Sequence, residues 1–161
     1  MVSDASSILY AFWKNSVDGY FVSINGAGEW GNPINGNFPF ATRAYTVDLP
    51  PGAPTPLYDP SIAADRQSGL HAFWIDSEET LRYSRFAGSG NIWSLQSWTA
   101  PSNLDNDVVK VVATTSLNNQ LHVVYIRRAG IGVSSGLYHR ASSDRGLSWS
   151  ESRQILSLIH I

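Results

Sequence analysis

Ser142 to Trp149 constrains the fold more tightly than any other stretch of the chain; it reads S-x-D-x-G-x-S-W. The short acidic side chain of Asp144 can accept hydrogen bonds from backbone N–H groups a little further on, and Gly146 supplies the positive φ that a tight turn needs. Trp149 then closes the turn with a large apolar surface suited to packing on the body of a sheet. The pattern predicts a hairpin turn in which Ser142, Asp144, Gly146 and Trp149 are structural.

Weaker versions of the same rhythm lie upstream. Ser23 and Asn25 precede Trp30 at the spacing with which Ser142 and Asp144 precede Trp149, but Ala27 replaces the glycine. Leu81 to Trp93 and Leu137 to Trp149 have identical spacing and align without a gap. The capping position is Asn25, Gly88 and Asp144 in turn, and only the last can cap its turn fully. Each turn follows short β-patterned runs: Ile8 to Trp13 and Tyr20 to Ile24; Ser61 to Asp65, Leu70 to Ile75 and Thr80 to Phe86; Val108 to Thr114, Leu121 to Ile126 and Leu137 to Ala141. In the first unit, Val2 to Ser7 is a poor innermost strand and Thr42 to Leu49 a candidate outer one. The proline-rich stretch Pro50 to Pro56 reads as an extended connection between two repeats, with a domain boundary as the alternative.

The units fall at about 1–50, 57–104 and 105–161, a period of roughly fifty to sixty residues, in the range of propeller blades rather than helical solenoids. The second strand of each unit is apolar on both faces, as expected of a sheet sandwiched between neighbours. Hydrophobic residues make up 43% of the chain and charged ones 15%, which suits a packed core and rules against disorder. A net charge of −2 gives no basis for binding nucleic acid or an anionic membrane surface. The chain has no cysteine, which removes disulfides, thiolate metal sites and thiol catalysis together. No apolar window reaches the roughly twenty residues of a membrane span, and no phosphate loop, nucleophile elbow or metal-spaced cluster occurs. Neither a cofactor nor a metal is expected.

The Ser142 to Trp149 motif resembles the Asp-box of the BNR repeat, the hairpin of sialidases and other β-propellers, with Ser148 where threonine is more usual. The resemblance implies an all-β fold of about three four-stranded blades from a propeller of about six. It also implies a protein of the cell exterior or surface that acts on glycans. In such propellers the ligand lies over the central channel, against the loops leading into each innermost strand and those joining the second and third strands. Laid on this chain, those loops supply Asp59, Asp105 and Asp107, then Asp76, Glu78 and Glu79, then Arg127 and Arg128. Carboxylates and guanidinium forks on one face suit glycan chemistry, the first protonating a glycosidic oxygen and the second gripping a sugar carboxylate.

Sialidases use three arginines, a Tyr–Glu nucleophile pair and an Asp acid/base. The Arg-Ile-Pro motif that carries their first arginine is absent here, and the later residues belong to later blades, so no catalytic residue carries over. The leading expectation is a fragment of a sialidase-like exoglycosidase, inactive on its own. The alternatives are a non-catalytic lectin or adhesion propeller, or a scaffold that binds protein. Trp98, outside the repeat register, is the candidate for stacking on a sugar, whereas Trp13, Trp74 and Tyr125 repeat in phase and read as core. His71 and His122 occupy the same place in successive strands and read as structural. Three blades do not close a ring of roughly four to eight. The expectation is therefore part of a longer chain, with two copies completing one ring as the alternative. The open sides of the outer units are expected to expose apolar strand faces.

Overall fold

A computed structural model describes residues 1–15, 19–26, 28–36, 38–40 and 60–157. Asp59, the expected strand Thr42 to Leu49 and the connection Pro50 to Pro56 lie outside the described residues. The described chain is all-β and antiparallel, arranged as three sheets. The first holds β1 (Val2–Ser3), β2 (Leu9–Asn15), β3 (Gly19–Gly26) and β4 (Glu29–Trp30) in that order, with β5 (Ile34–Asn35) also paired to β3. The second holds β6 (Ser61–Ala64), β7 (Leu70–Ile75), β8 (Leu81–Phe86) and β9 (Ser102–Asp105), and the third β10 (Val108–Thr115), β11 (Leu121–Arg127), β12 (Gly136–Ser142) and β13 (Arg153–Ser157). Val2 to Ser3 does supply the short innermost strand of the first unit, pairing with Leu9 and Tyr10.

One five-residue turn recurs. At Asp4, Asp65 and Asp76 a side-chain Oδ1 accepts the backbone N–H groups two and four residues on: Ser6 and Ile8, Gln67 and Gly69, Glu78 and Thr80. Ser116 does the same less completely, its Oγ accepting from the Gln120 N–H. The fourth residue of each turn is left-handed: Ser7, Ser68, Glu79 and Asn119, with φ of 61°, 61°, 58° and 61°. These turns open the hairpins β1–β2, β6–β7, β7–β8 and β10–β11 and set their registers, because each short acceptor ties the two strand ends together.

The sheets pack face to face, and β7 lies at the centre with all six residues buried. Its alternate side chains point to opposite faces. Leu70, Ala72 and Trp74 join Tyr10, Tyr20 and Val22 of the first sheet in one core, and Phe73 and Ile75 join Val123 and Tyr125 of the third in another. The first seam is strongly aromatic: Phe38 stacks on Phe40 at 5.0 Å, and Trp98 meets Phe40 edge-on at 5.9 Å. The expectation of a strand apolar on both faces holds in full for β7. In β11 the pattern alternates between buried and half-buried, because only one face is covered by the described residues. Trp13 departs from its expected core role. It is 39% exposed on the outer face of the first sheet and stacks on Phe21 at 5.8 Å, since no sheet among the described residues covers that side.

Candidate functional site

The loops β7–β8, β9–β10 and β11–β12 meet at one edge of the second and third sheets. Backbone bonds link them: the Val108 N–H donates to the Glu79 carbonyl and the Arg128 N–H to the Asp107 carbonyl, both at 2.8 Å. This edge brings together the residues that sequence reasoning selected. Arg127 lies between two carboxylates, with Nη1 2.9 Å from Asp105 Oδ1 and Nη2 3.5 Å from Asp107 Oδ2. Arg128 Nη1 pairs with Glu79 Oε1 at 2.7 Å, and the Arg128 side chain remains 63% exposed. The other carboxylate oxygen of Asp105 accepts the Tyr125 hydroxyl, which also meets Ser152 Oγ at 2.6 Å. Burial raises the Tyr125 hydroxyl pKa, and the hydrogen bond to Asp105 adds to the shift.

Two of the selected residues are spoken for. Asp76 caps its own turn through Oδ1 and holds Arg82 Nε at 2.7 Å through Oδ2, so it is a turn residue rather than a free acceptor. Trp98 corrects the expectation of an available ring face. It is 6% exposed, packs among Phe38, Phe40 and Phe86, and donates its indole N–H to the Ile92 carbonyl. Glu78 is exposed at the tip of its turn. No group of three or more potential metal ligands occurs among the described residues.

Around the Ser142 to Trp149 turn, Asp144 Oδ1 accepts Ser142 Oγ at 2.7 Å and the Ser148 N–H at 2.9 Å, and Oδ2 accepts the Ser148 hydroxyl. The Ser148 side chain and N–H, followed by Ser142, hold the Asp144 pKa down to about 2. Ser142 Oγ takes the Gly146 N–H, and Gly146 has φ of +81°. Trp149 meets Phe73 and Tyr83 edge-on at 5.6 and 5.1 Å, which seats the turn on the second sheet.

Sequence reasoning missed the network under that turn. His71, fully buried, places Nδ1 2.8 Å from the Tyr83 hydroxyl and Nε2 3.3 Å from Asp65 Oδ2. Arg145 Nε reaches the same Asp65 oxygen at 2.6 Å. Burial opposes the charge on Asp65, but the bonds from His71, Arg145 and the backbone of Gly69 and Gln67 outweigh it and hold the carboxyl well below its usual range. An ionised Asp65 only accepts, so Nε2 carries the proton and Nδ1 accepts from Tyr83. Burial lowers the His71 pKa, against the pull of Asp65. The readable signal was the position of Asp65 five residues before Leu70, repeated by Asp4 before Leu9. These turns line an open cleft of about 270 Å³ beside Ser116. No family model and no curated protein matches the chain.

Proposed function

We propose that the three sheets are blades of a BNR-type, sialidase-like β-propeller, and that the chain contacts acidic glycans outside the cell through the edge bearing Arg127 and Arg128. The observation that carries this reading is the convergence of Asp105, Asp107, Glu79, Arg127 and Arg128 from three separate loops onto one edge. The face-to-face sheets, each entered by a similar turn, and the capped Ser142 to Trp149 hairpin support the propeller architecture. Arg128 is the exposed fork. Its partner Glu79 occupies the place that a sugar carboxylate takes, so an acidic sugar exchanges one ion pair for another while adding hydroxyl contacts.

Recognition suits these residues better than hydrolysis. Asp105, Asp107 and Glu79 each accept from a guanidinium, whereas cleavage by the usual carboxylate pair requires one of them to donate a proton to the leaving oxygen. Any glycosidase activity of a parent ring is therefore assigned to groups beyond this edge. Calorimetric titration with a sialylated trisaccharide and with its neutral disaccharide core tests the proposal. The acidic sugar should bind, and Arg128→Ala should weaken it about tenfold with unchanged circular dichroism. Equal affinity for both sugars, or an Arg128→Ala variant that binds like the parent, would sink it.

A further inference from the structure

His71 stands in the middle of a chain of contacts that crosses the seam between the second and third sheets. One ring nitrogen faces Asp65 Oδ2 at 3.3 Å and the other the Tyr83 hydroxyl at 2.8 Å. The Tyr83 oxygen in turn lies 3.4 Å from the Arg145 carbonyl, which also accepts Arg85 Nη1 at 3.2 Å. Arg145 Nε returns to the same Asp65 oxygen and closes a ring. The side chains of His71 and Asp65 are fully buried, and Tyr83 is 4% exposed.

Between Asp65 and the Arg145 carbonyl there are three hydrogen-bond positions and, with His71 neutral, two protons. The imidazole proton sits on Nε2 toward the ionised Asp65, and the phenol proton sits on the Tyr83 hydroxyl toward Nδ1. The oxygens of Tyr83 and Arg145 then face each other with no hydrogen between them. One further proton fills the vacant position.

We propose that His71 and Tyr83 form a two-state proton switch, in which uptake of one proton at His71 Nδ1 turns the Tyr83 hydroxyl away from the ring and onto the Arg145 carbonyl. The incoming proton comes from solvent, and Tyr83 keeps its own. In the neutral state the Tyr83 bond stays inside the second sheet, between β7 and β8. In the protonated state Nε2 donates to Asp65, Nδ1 donates to the Tyr83 oxygen, and Tyr83 donates to the third sheet. Acid thus moves one hydrogen bond from within a sheet to between two sheets.

The receiving end is already in place. Arg145 is held left-handed at φ 61° beside Gly146 at 81°, within the Ser142 to Trp149 turn, and a Cβ on Gly146 would occupy the space of the Tyr83 hydroxyl. A carbonyl accepts two bonds, so Tyr83 joins Arg85 there without displacing it.

The charges around the ring set where the switch operates. Asp65 faces His71 from its own turn, Tyr83 and Arg85 from β8, and Asp144 and Arg145 from the turn after β12. Tyr125, Tyr138 and Arg140 enter the same seam from β11 and β12, and Asp105 of β9 is spent on Tyr125 and Arg127. From β6 and β10 come Ala63, Val111 and Ala113, none of which titrates. Burial opposes the imidazolium most, Asp65 favours it, and Arg85 and Arg145 oppose it, so the proton enters below the ordinary 6.5. Net stability still declines in acid, because the unfolded chain takes up this proton more readily than the folded one.

NMR of the intact chain, labelled in the histidine nitrogens and carbonyl carbons, reads both ends of the switch. At neutral pH His71 should carry its proton on Nε2 and leave Nδ1 bare. On acidification both nitrogens should become protonated before the chain unfolds, and the Arg145 carbonyl carbon should shift with the same midpoint. In Tyr83→Phe the His71 midpoint should fall by about 0.5–1 pH unit, since the imidazolium loses a charge-assisted acceptor worth more than the neutral bond it replaces. The Arg145 carbonyl should then no longer follow His71. A neutral ring protonated on Nδ1 overturns the proposal, as does a parent that unfolds before His71 takes up a proton. So does an Arg145 carbonyl that ignores His71 in the parent or still follows it in Tyr83→Phe. If Tyr83→Phe fails to fold, the parent spectra decide by themselves.

Discussion

Arg145 Nε lies 2.6 Å from Asp65 Oδ2, joining two residues 80 positions apart across the seam between the second and third sheets. The same carboxylate holds His71 and two backbone N–H groups, so it is the common anchor of a turn, a histidine and a neighbouring sheet.

Asp65→Ala should therefore cost about 3–5 kcal/mol, the range for removing one partner of a buried ion pair and leaving the others unsatisfied. Arg145→Ala, which removes a half-buried group and keeps the turn, should cost only about 1–2 kcal/mol. Urea unfolding of the two variants measures the difference. Equal losses would mean that Asp65 acts mainly through Arg145 rather than as the anchor of its own turn.

Acid should weaken the fold in two separate windows. His71 and His139 both have pKa values below the ordinary 6.5, through burial in each case, with the neighbouring His122 and Arg153 adding to the shift at His139. The unfolded chain then binds protons that the folded chain refuses, so stability falls as pH drops below about 6.5, by up to about 1.4 kcal/mol per pH unit for each such group. Asp65 and Asp144 are lowered from 3.8, and their contribution is full above that pH and lost as pH falls from there through their depressed folded-state values. Thermal midpoints between pH 7.5 and 5 should decline in the parent and decline less in a His139→Gln variant. A flat parent profile above pH 5 would contradict neutral burial of His71.

Trp74 and Trp13 occupy equivalent places in their sheets, yet Trp74 is 1% exposed. Trp74→Ala should cost about 3–5 kcal/mol, while Trp13→Ala should cost the folded chain less than about 1 kcal/mol. Chemical denaturation of the two variants tests the pair. Similar losses would mean that the outer face of the first sheet is covered within one chain.

Gly146→Ala should lower the unfolding midpoint more than Asp144→Ala. A Cβ on Gly146 would overlap the Tyr83 hydroxyl, and its φ of +81° is unfavourable for any L side chain. Asp144→Ala should shift the midpoint by a few degrees through lost turn bonds and leave glycan binding unchanged. Loss of binding with an unchanged midpoint would move Asp144 from the turn to the ligand site.

The strands were legible because short β-patterned runs bounded by turn residues survive in sequence: Leu70 to Ile75 was expected as a strand and is observed as one. The loops of the candidate edge came from the resemblance, which assigned Asp105, Asp107, Arg127 and Arg128 to the loops at one end of the strands, and the structure brings these four side chains together there. What alternation cannot report is the surface opposite each face. Trp13 and Trp74 have the same local pattern and opposite environments because, among the described residues, a sheet lies beyond Trp74 and none beyond Trp13. Trp98 fell outside the repeat register and was read as free, although its burial comes from Phe38 and Phe40, more than fifty residues away. His139 looked solitary because its partner, His122, meets it only through the β11–β12 register.

The four recurrent turns hold Ser7, Ser68, Glu79 and Asn119 in a conformation that glycine adopts freely and other residues adopt at roughly 1–2 kcal/mol. Asparagine tolerates it best, so Asn119 has little to give. Glu79 pairs with Arg128 at the candidate edge, and replacing it would release that guanidinium. Ser7 and Ser68 remain. Their turns lie at the opposite end of the strands, so engineering for heat tolerance can proceed there by glycine or asparagine exchange without altering the Arg127 and Arg128 ion pairs.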